Sequence, residues 1–204
     1  MKVRIPPRVA LLVIAALFVL PLVAAWLMYR GVIDYTPGET RNLGQLVEPP
    51  VPLPWAELVA SPAGESPESA FAGHWVLLHA VPQSCPNACL QAIVNLRQVH
   101  LASGRDQARI RIALLQETGD AALAGQLLDI YPVFQLIEDG QGTLWPILER
   151  VARRLEPTRG AAGSTFLVDP LGNVMMLYAP GSDPNHLKTD LKRLLTWSKL
   201  DQPR

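Results

Sequence analysis

Cysteine is almost missing from this chain. Two residues in 204 are cysteine, too few for the disulfide scaffold of a small secreted domain. Charge is scarce and balanced: eighteen Lys and Arg offset eighteen Asp and Glu, for a net charge of zero. No basic field is therefore present to attract nucleic acid. Phosphate loops, serine triads, zinc-type ligand spacings and internal repeats are all lacking. What remains as chemistry is the pair Cys85 and Cys89, and their closeness points to reactivity more than to framework.

One long apolar run is present. Val9 to Tyr29 reads VALLVIAALFVLPLVAAWLMY, 21 residues without a charge. At 1.5 Å per residue, a helix of this length spans a hydrocarbon core of about 30 Å. Pro21 lies inside it, which membrane helices tolerate, and Trp26 and Tyr29 sit near the far end, where amphipathic rings favour the interface. Lys2, Arg4 and Arg8 precede the run. Only Arg30 follows closely, with Asp34 and Glu39 beyond. The positive-inside rule then places the N-terminus in the cytoplasm and the rest outside. A cleaved signal peptide is the rival reading, but the run is long for one and no clear Ala-x-Ala cut site follows. In a bacterium the chain is expected to be a single-pass inner-membrane protein with its soluble part in the periplasm.

The expected organisation is a cytoplasmic N-terminus (1–8), a transmembrane anchor (9–29), a proline-rich tether (30–69) and one folded domain (70–204). The tether is marked by EPPVPLPW and SPAGESP between Pro37 and Pro67. Proline fixes φ and removes a donor, so this stretch reads as extended chain outside the core, with Trp55 and Leu58 pinning its middle to the domain. Within the domain, HWVLLHAV (74–81) is a continuous apolar run and reads as a buried strand. Pro86 to His100 reads as a helix with Pro86 at its first position, and Cys89, Ile93, Leu96 and His100 fall on one face. RIRIALLQ (109–116) is a second strand, and the intervening helix makes the pair parallel. A short helix (120–128), a strand (133–138) and an amphipathic helix with a basic outer face (143–155) follow. STFLVDP (164–170) and NVMMLYA (173–179) are strands joined by the turn Asp169-Pro170-Leu171-Gly172, and 185–200 closes the chain as a helix.

Cys85 therefore lies where a buried strand meets a helix N-terminus, whose dipole and free N–H groups lower a thiol pKa. Cys89 is one turn later. Ideal helical geometry puts their Cα atoms roughly 6 Å apart, inside the disulfide range, and the same spacing lets two thiolates grip a soft ion such as Cu(I). Both cysteines are thus candidate catalytic thiols and candidate Cu(I) ligands.

WVLLHAVPQSCPNACLQAI resembles the Sco/SenC family, thioredoxin-like proteins of cytochrome c oxidase assembly. Their motif is an apolar strand followed by Cys-Pro-x-x-Cys opening a helix. STFLVDPLGNVMMLY and PNHLKTDLKRLL are similar to the family's Asp-Pro-x-Gly hairpin and final helix. The likeness covers roughly 70–200 together with the single anchor. It implies an α/β, thioredoxin-like domain, a central mixed sheet flanked by helices, carried on one N-terminal transmembrane helix. It also implies copper held by the two cysteines and a distal histidine nine residues before the turn proline. In this sequence that position is Ala161, which supplies no ligand. The proline that thioredoxins carry before the third strand is also replaced, by Gly163 or Ser164.

Other ligands are few. His79, six residues before Cys85, is either a core histidine bonded to its neighbours or a third metal ligand. His74 and His186 read as surface residues, and His100 is nearly three turns from the cysteines. Met175 and Met176 are soft donors, but adjacent strand residues point to opposite faces, so both cannot serve one ion. Asp169 and Pro170 read as turn formers. The reading that results is a Sco-like assembly factor, acting by Cu(I) handling or by thiol redox of the copper site. Its partners would be an oxidase subunit or other copper and thiol assembly factors. A general periplasmic thiol–disulfide reductase and a non-catalytic tethered interaction protein are the alternatives. Enzymatic activity, if present, is that of a thiol–disulfide oxidoreductase.

Overall fold

The computed structural model describes residues 6–30, 41–57 and 67–198. Lys2, Arg4, Asp34, Glu39, Leu58 and the last residues expected in the final helix lie outside them. Residues 1–41 and 42–204 form two separate units.

In the first unit, helix α1 (Pro7–Tyr29) opens with proline at its first position, where the absent N–H costs nothing, and runs through Pro21. It is the one helix among the described residues long and apolar enough to cross a membrane. At its end the Arg30 guanidinium lies 5.0 Å from the Trp26 ring centroid, a cation over an aromatic face.

The second unit is built on a six-stranded mixed sheet whose strands run, in spatial order, β1 (Gln45–Pro52), β6 (Asn173–Tyr178), β5 (Thr165–Val168), β2 (Trp75–Val81), β3 (Ile110–Gln116) and β4 (Gln135–Glu138). Its central strand, β2 (Trp75–Val81), is buried along its whole length, as the unbroken apolar run requires of a strand covered on both faces. α3 (Asn87–Ala102) returns the chain to β3 (Ile110–Gln116), which pairs parallel with β2. α4 (Ala121–Ile130), capped by the Asp120 carboxylate on Ala122 and Leu123 N–H, leads to β4 (Gln135–Glu138), also parallel. At the end of β4 the buried Asp139 carboxylate accepts three backbone N–H groups, from Thr143, Leu144 and Trp145, satisfying the start of α5 (Trp145–Leu155). β5 (Thr165–Val168) and β6 (Asn173–Tyr178) form the expected hairpin. Asp169 Oδ1 accepts from Leu171 and Asn173 N–H across its turn. α6 (Pro184–Trp197) ends the described chain.

Alternation along β2 sorts the core into two halves. Val76, Leu78 and Ala80 face one cluster, which is completed by Leu148, Val151 and Ala152 of α5 and by Phe71 of the short helix α2 (Pro67–Phe71). Trp75, Leu77 and Val81 face the other, completed by Cys89, Ile93 and Leu96 of α3 and Leu187 and Leu191 of α6. The face expected for α3 is the buried one: Cys89, Ile93, Leu96 and His100 all point inward.

Two expectations are corrected. The proline-rich stretch is not wholly tether: β1 (Gln45–Pro52) pairs antiparallel with β6 and belongs to the compact unit. Prolines are accommodated because β1 is an edge strand, where one side of the backbone needs no partner. Val47, Leu53 and Trp55 are buried, and the Trp55 ring packs 4.8 Å from Phe71. The second correction concerns Met175 and Met176. Pairing runs from Leu167↔Met176 to Val168↔Val174, which leaves Met175 as an extra residue. This irregularity breaks the alternation, and both methionines pack against the cysteine-side cluster.

Candidate functional site

The site begins where β2 ends. Past Val81 the chain turns through Pro82, Gln83 and Ser84 to Cys85, and α3 starts at Asn87 with Pro86 as its N-cap residue, one position later than expected. Proline has no side chain to cap with, and none is hydrogen-bonded there. The N–H groups of the first turn are therefore left facing the cysteine loop, a positive end suited to a thiolate.

Cys85 and Cys89 are joined as a disulfide, with Cα atoms 5.1 Å apart, within the range that bridges without moving backbone. The two ends differ. Cys85 is half-buried at the margin of the α3-side core, whereas Cys89 is 7% exposed and packed within it. Beside the disulfide runs a groove of about 710 Å³. Cys89, Ala92 and Leu96 of α3 form one wall, and Tyr178, Pro180 and Leu187 the other. Gly163 and Thr165 also line it. Gly163 N–H donates to the Ala80 carbonyl and Ala80 N–H donates to the Ser164 carbonyl, so this loop is locked to the end of β2. Gly163 has φ +76° and a Cβ there would approach Pro180 at 3.3 Å, so glycine suits the backbone and the tight fit where thioredoxins carry proline.

His79 is fully buried on the cysteine face of the sheet, between Leu77 and Val81. Its Nδ1 lies 3.0 Å from Thr165 Oγ1, its cross-strand neighbour. Its Nε2 is buried with no partner. Burial pushes its pKa down to about 4, which keeps the ring neutral. His100, on the same face of α3, is occupied by the Tyr131 hydroxyl at 3.0 Å and the Gln107 carbonyl at 3.2 Å. His74 and His186 are half-buried.

Ala161, where the family resemblance would place a metal-binding histidine, is buried in the opposite core cluster with Leu148 and Phe166. Its N–H donates to the Glu149 carboxylate at 2.7 Å. That bond, with Arg153 adding to it, holds the Glu149 carboxyl below its ordinary pKa. Among the described residues no three His, Cys, Asp or Glu side chains are grouped so as to hold a metal ion. The two cysteine sulfurs, once reduced, are a soft donor pair suited to a two-coordinate d¹⁰ ion.

Thr165 and Tyr178 were not singled out in the sequence. Neither belongs to a short motif; each reaches the groove through strand pairing with residues far away in the chain.

Among curated proteins none matches the chain. Among solved structures, apo Sco1 from Thermus thermophilus is 18% identical, with a TM-score of 0.56, covering 78% of this chain and 99% of that one. Yeast Sco1 with copper bound is 13% identical, with a TM-score of 0.50, covering 67% of this chain and 87% of that one. Identities this low establish a shared fold: the thioredoxin-like sheet and helices described above. The family model described as transmembrane-like, thioredoxin-like, C-terminal domain matches residues 75–198, from the first residue of β2 to one past α6, and the chain belongs to that family.

Proposed function

We propose that this is a membrane-anchored, periplasm-facing thiol–disulfide protein of Sco-like type, which assists cytochrome c oxidase assembly by keeping the copper-site cysteines of a client subunit reduced. The observation that carries this reading is the asymmetric Cys85–Cys89 pair at an uncapped helix start, opening onto a groove. α1 would hold the domain at the membrane with the basic N-terminus in the cytoplasm.

The exchange follows from the geometry. The Cys85 thiolate, at the exposed end, attacks one sulfur of a client disulfide; the other client sulfur leaves as a thiolate. The Cys89 thiolate then attacks the Cys85 sulfur and releases the second client thiolate. Two electrons pass to the client, and Cys85–Cys89 is left as the disulfide seen here. An external dithiol reductant completes the cycle. The full chain carrying Cys89→Ser, expressed in membranes, should accumulate a mixed disulfide through Cys85 with the oxidase copper subunit. Partners drawn without preference from exported proteins would instead indicate a general reductase. Absence of any Cys85-linked species would contradict the reading.

Copper enters as cargo. The reduced pair offers two sulfurs one turn apart, and the position of the family histidine is taken by Ala161 in the opposite core cluster. The pair would accept Cu(I), whereas Cu(II), which prefers more ligands with nitrogen or oxygen, would oxidise it to the disulfide. Two equivalents of Cu(II) added to the reduced chain should consume both thiols, each ion taking one electron and leaving as Cu(I) while two protons are released, without retained metal. A stable, stoichiometric Cu(II)–thiolate charge-transfer band lost in His79→Ala would restore a three-ligand site and favour metal carriage.

A further inference from the structure

The buried histidine on the cysteine face of β2 has an unused nitrogen. His79 is fully buried, its Nδ1 is engaged by Thr165 Oγ1 at 3.0 Å, and its Nε2 has no partner. A fold does not leave a buried polar atom orphaned without cost. Strand alternation places the ring on the face covered by α3, between Leu77 and Val81, which share one cluster with Cys89 and Ile93. Thr165, which holds the other ring nitrogen, lines the same groove as Cys89.

Cys89 has the complementary need. In the disulfide its sulfur is bonded to Cys85 and requires nothing. Reduction by an external dithiol adds two electrons and two protons to the Cys85–Cys89 bond, and the dithiol becomes a disulfide. Cys85, half-buried, gains a sulfur that water reaches; Cys89, 7% exposed at the groove wall, gains one that water reaches far less.

We infer that His79 is a positioning residue that sets the redox poise of the pair, its Nε2 becoming the hydrogen-bond partner of the Cys89 sulfur once the disulfide opens. This rests on the reading of Cys85–Cys89 as a redox pair, but on no particular client. The bond works with either tautomer. A bare Nε2 accepts from the Cys89 thiol, and a protonated one donates to the thiolate. Depression of the ring's pKa by burial agrees with a neutral imidazole in this role. The nitrogen is orphaned in the oxidised state and satisfied in the reduced state, so His79 favours the dithiol.

The test is an equilibrium one. Full-length wild type and His79→Leu, in detergent, are equilibrated against graded ratios of reduced and oxidised dithiothreitol, and thiols are quantified by alkylation. His79→Leu should require a roughly tenfold more reducing ratio, a potential about 30 mV more negative. Equal constants in two folded proteins would overturn the proposal, and a wild-type pair that still cycles reversibly would leave the thiol-exchange function standing. If the variant does not fold, the wild type alone decides. The ¹⁵N resonances of the His79 ring should shift when the disulfide is reduced, and unchanged resonances would refute the role.

Discussion

The Tyr178 hydroxyl donates to Asp190 Oδ2 at 3.0 Å, deep between β6 and α6. The same buried oxygen accepts the backbone N–H groups of Leu43 and Gly44 at 2.8 and 2.9 Å, and Arg193 stands 3.5 Å from the other oxygen. One carboxylate thus gathers the strand that borders the groove, the final helix and the segment leading into β1. Burial and the neighbouring Asp190 carboxylate raise the phenol's pKa far above its usual range, so Tyr178 is a donor at any working pH. Gly44 is fitted to this contact, since a Cβ would sit 2.6 Å from the Tyr178 ring.

Tyr178→Phe should therefore destabilise the folded unit by about 1.5–3 kcal/mol, the usual cost of losing a hydrogen bond to a charged group. Urea titration of the full chain in detergent measures it. A change near zero would mean that water or Arg193 replaces the hydroxyl without loss.

Cys85 should react before Cys89. It is half-buried beside the uncapped start of α3, while Cys89 lies within the core. Thiolate character and access both favour the first. Brief alkylation of the reduced chain near neutral pH, read by peptide mapping, should mark Cys85. Equal, slow labelling would point to two structural cysteines.

Stability should fall as pH drops below the ordinary histidine range. His79 has a folded pKa near 4 against 6.5 unfolded, so between these values the unfolded chain binds the extra proton and the native state loses ground. Above pH 6.5 the contribution is fully present; by pH 4 about 3 kcal/mol of it is gone. His100, lowered mainly by burial, acts with the same sign. His79→Leu should flatten the slope between pH 6.5 and 4 without abolishing it. An unchanged slope would mean that the ring is solvated.

How much of this was legible in the sequence depended on range. The apolar run of β2, the Cys-Pro-Asn-Ala-Cys start of α3 and the Asp169 turn are local patterns, and they appear within a residue or two of their expected bounds. β1 was hidden because its prolines argue for a tether and its partner β6 lies more than a hundred residues on. The extra residue at Met175 was hidden because register is a property of two strands, not of one. Asp190 looks like any helical aspartate; only the fold brings Leu43 and Gly44 to it across nearly 150 positions. At the site, the cysteines and the buried His79 were visible as residue types, while its partner Thr165 and the groove depend on the sheet's assembly.

Topology has its own test. The proposed orientation rests on Lys2, Arg4 and Arg8 preceding the apolar run. A C-terminal alkaline phosphatase fusion should be active and a cytoplasm-only reporter silent. The reverse pattern would remove the domain from the compartment where the proposed clients are exposed.

The central claim is that Cys85 and Cys89 pass electrons to the thiols of an oxidase copper site. The direct measurement mixes the reduced full chain with the client's copper-binding domain in its disulfide form, under anaerobic conditions, and counts thiols on each protein with time. The account predicts one client dithiol formed for each Cys85–Cys89 disulfide, and a covalent Cys85–client adduct that persists when Cys89 is serine. Client thiols that never appear, although the same chain reduces and reoxidises freely with a small dithiol, would contradict it.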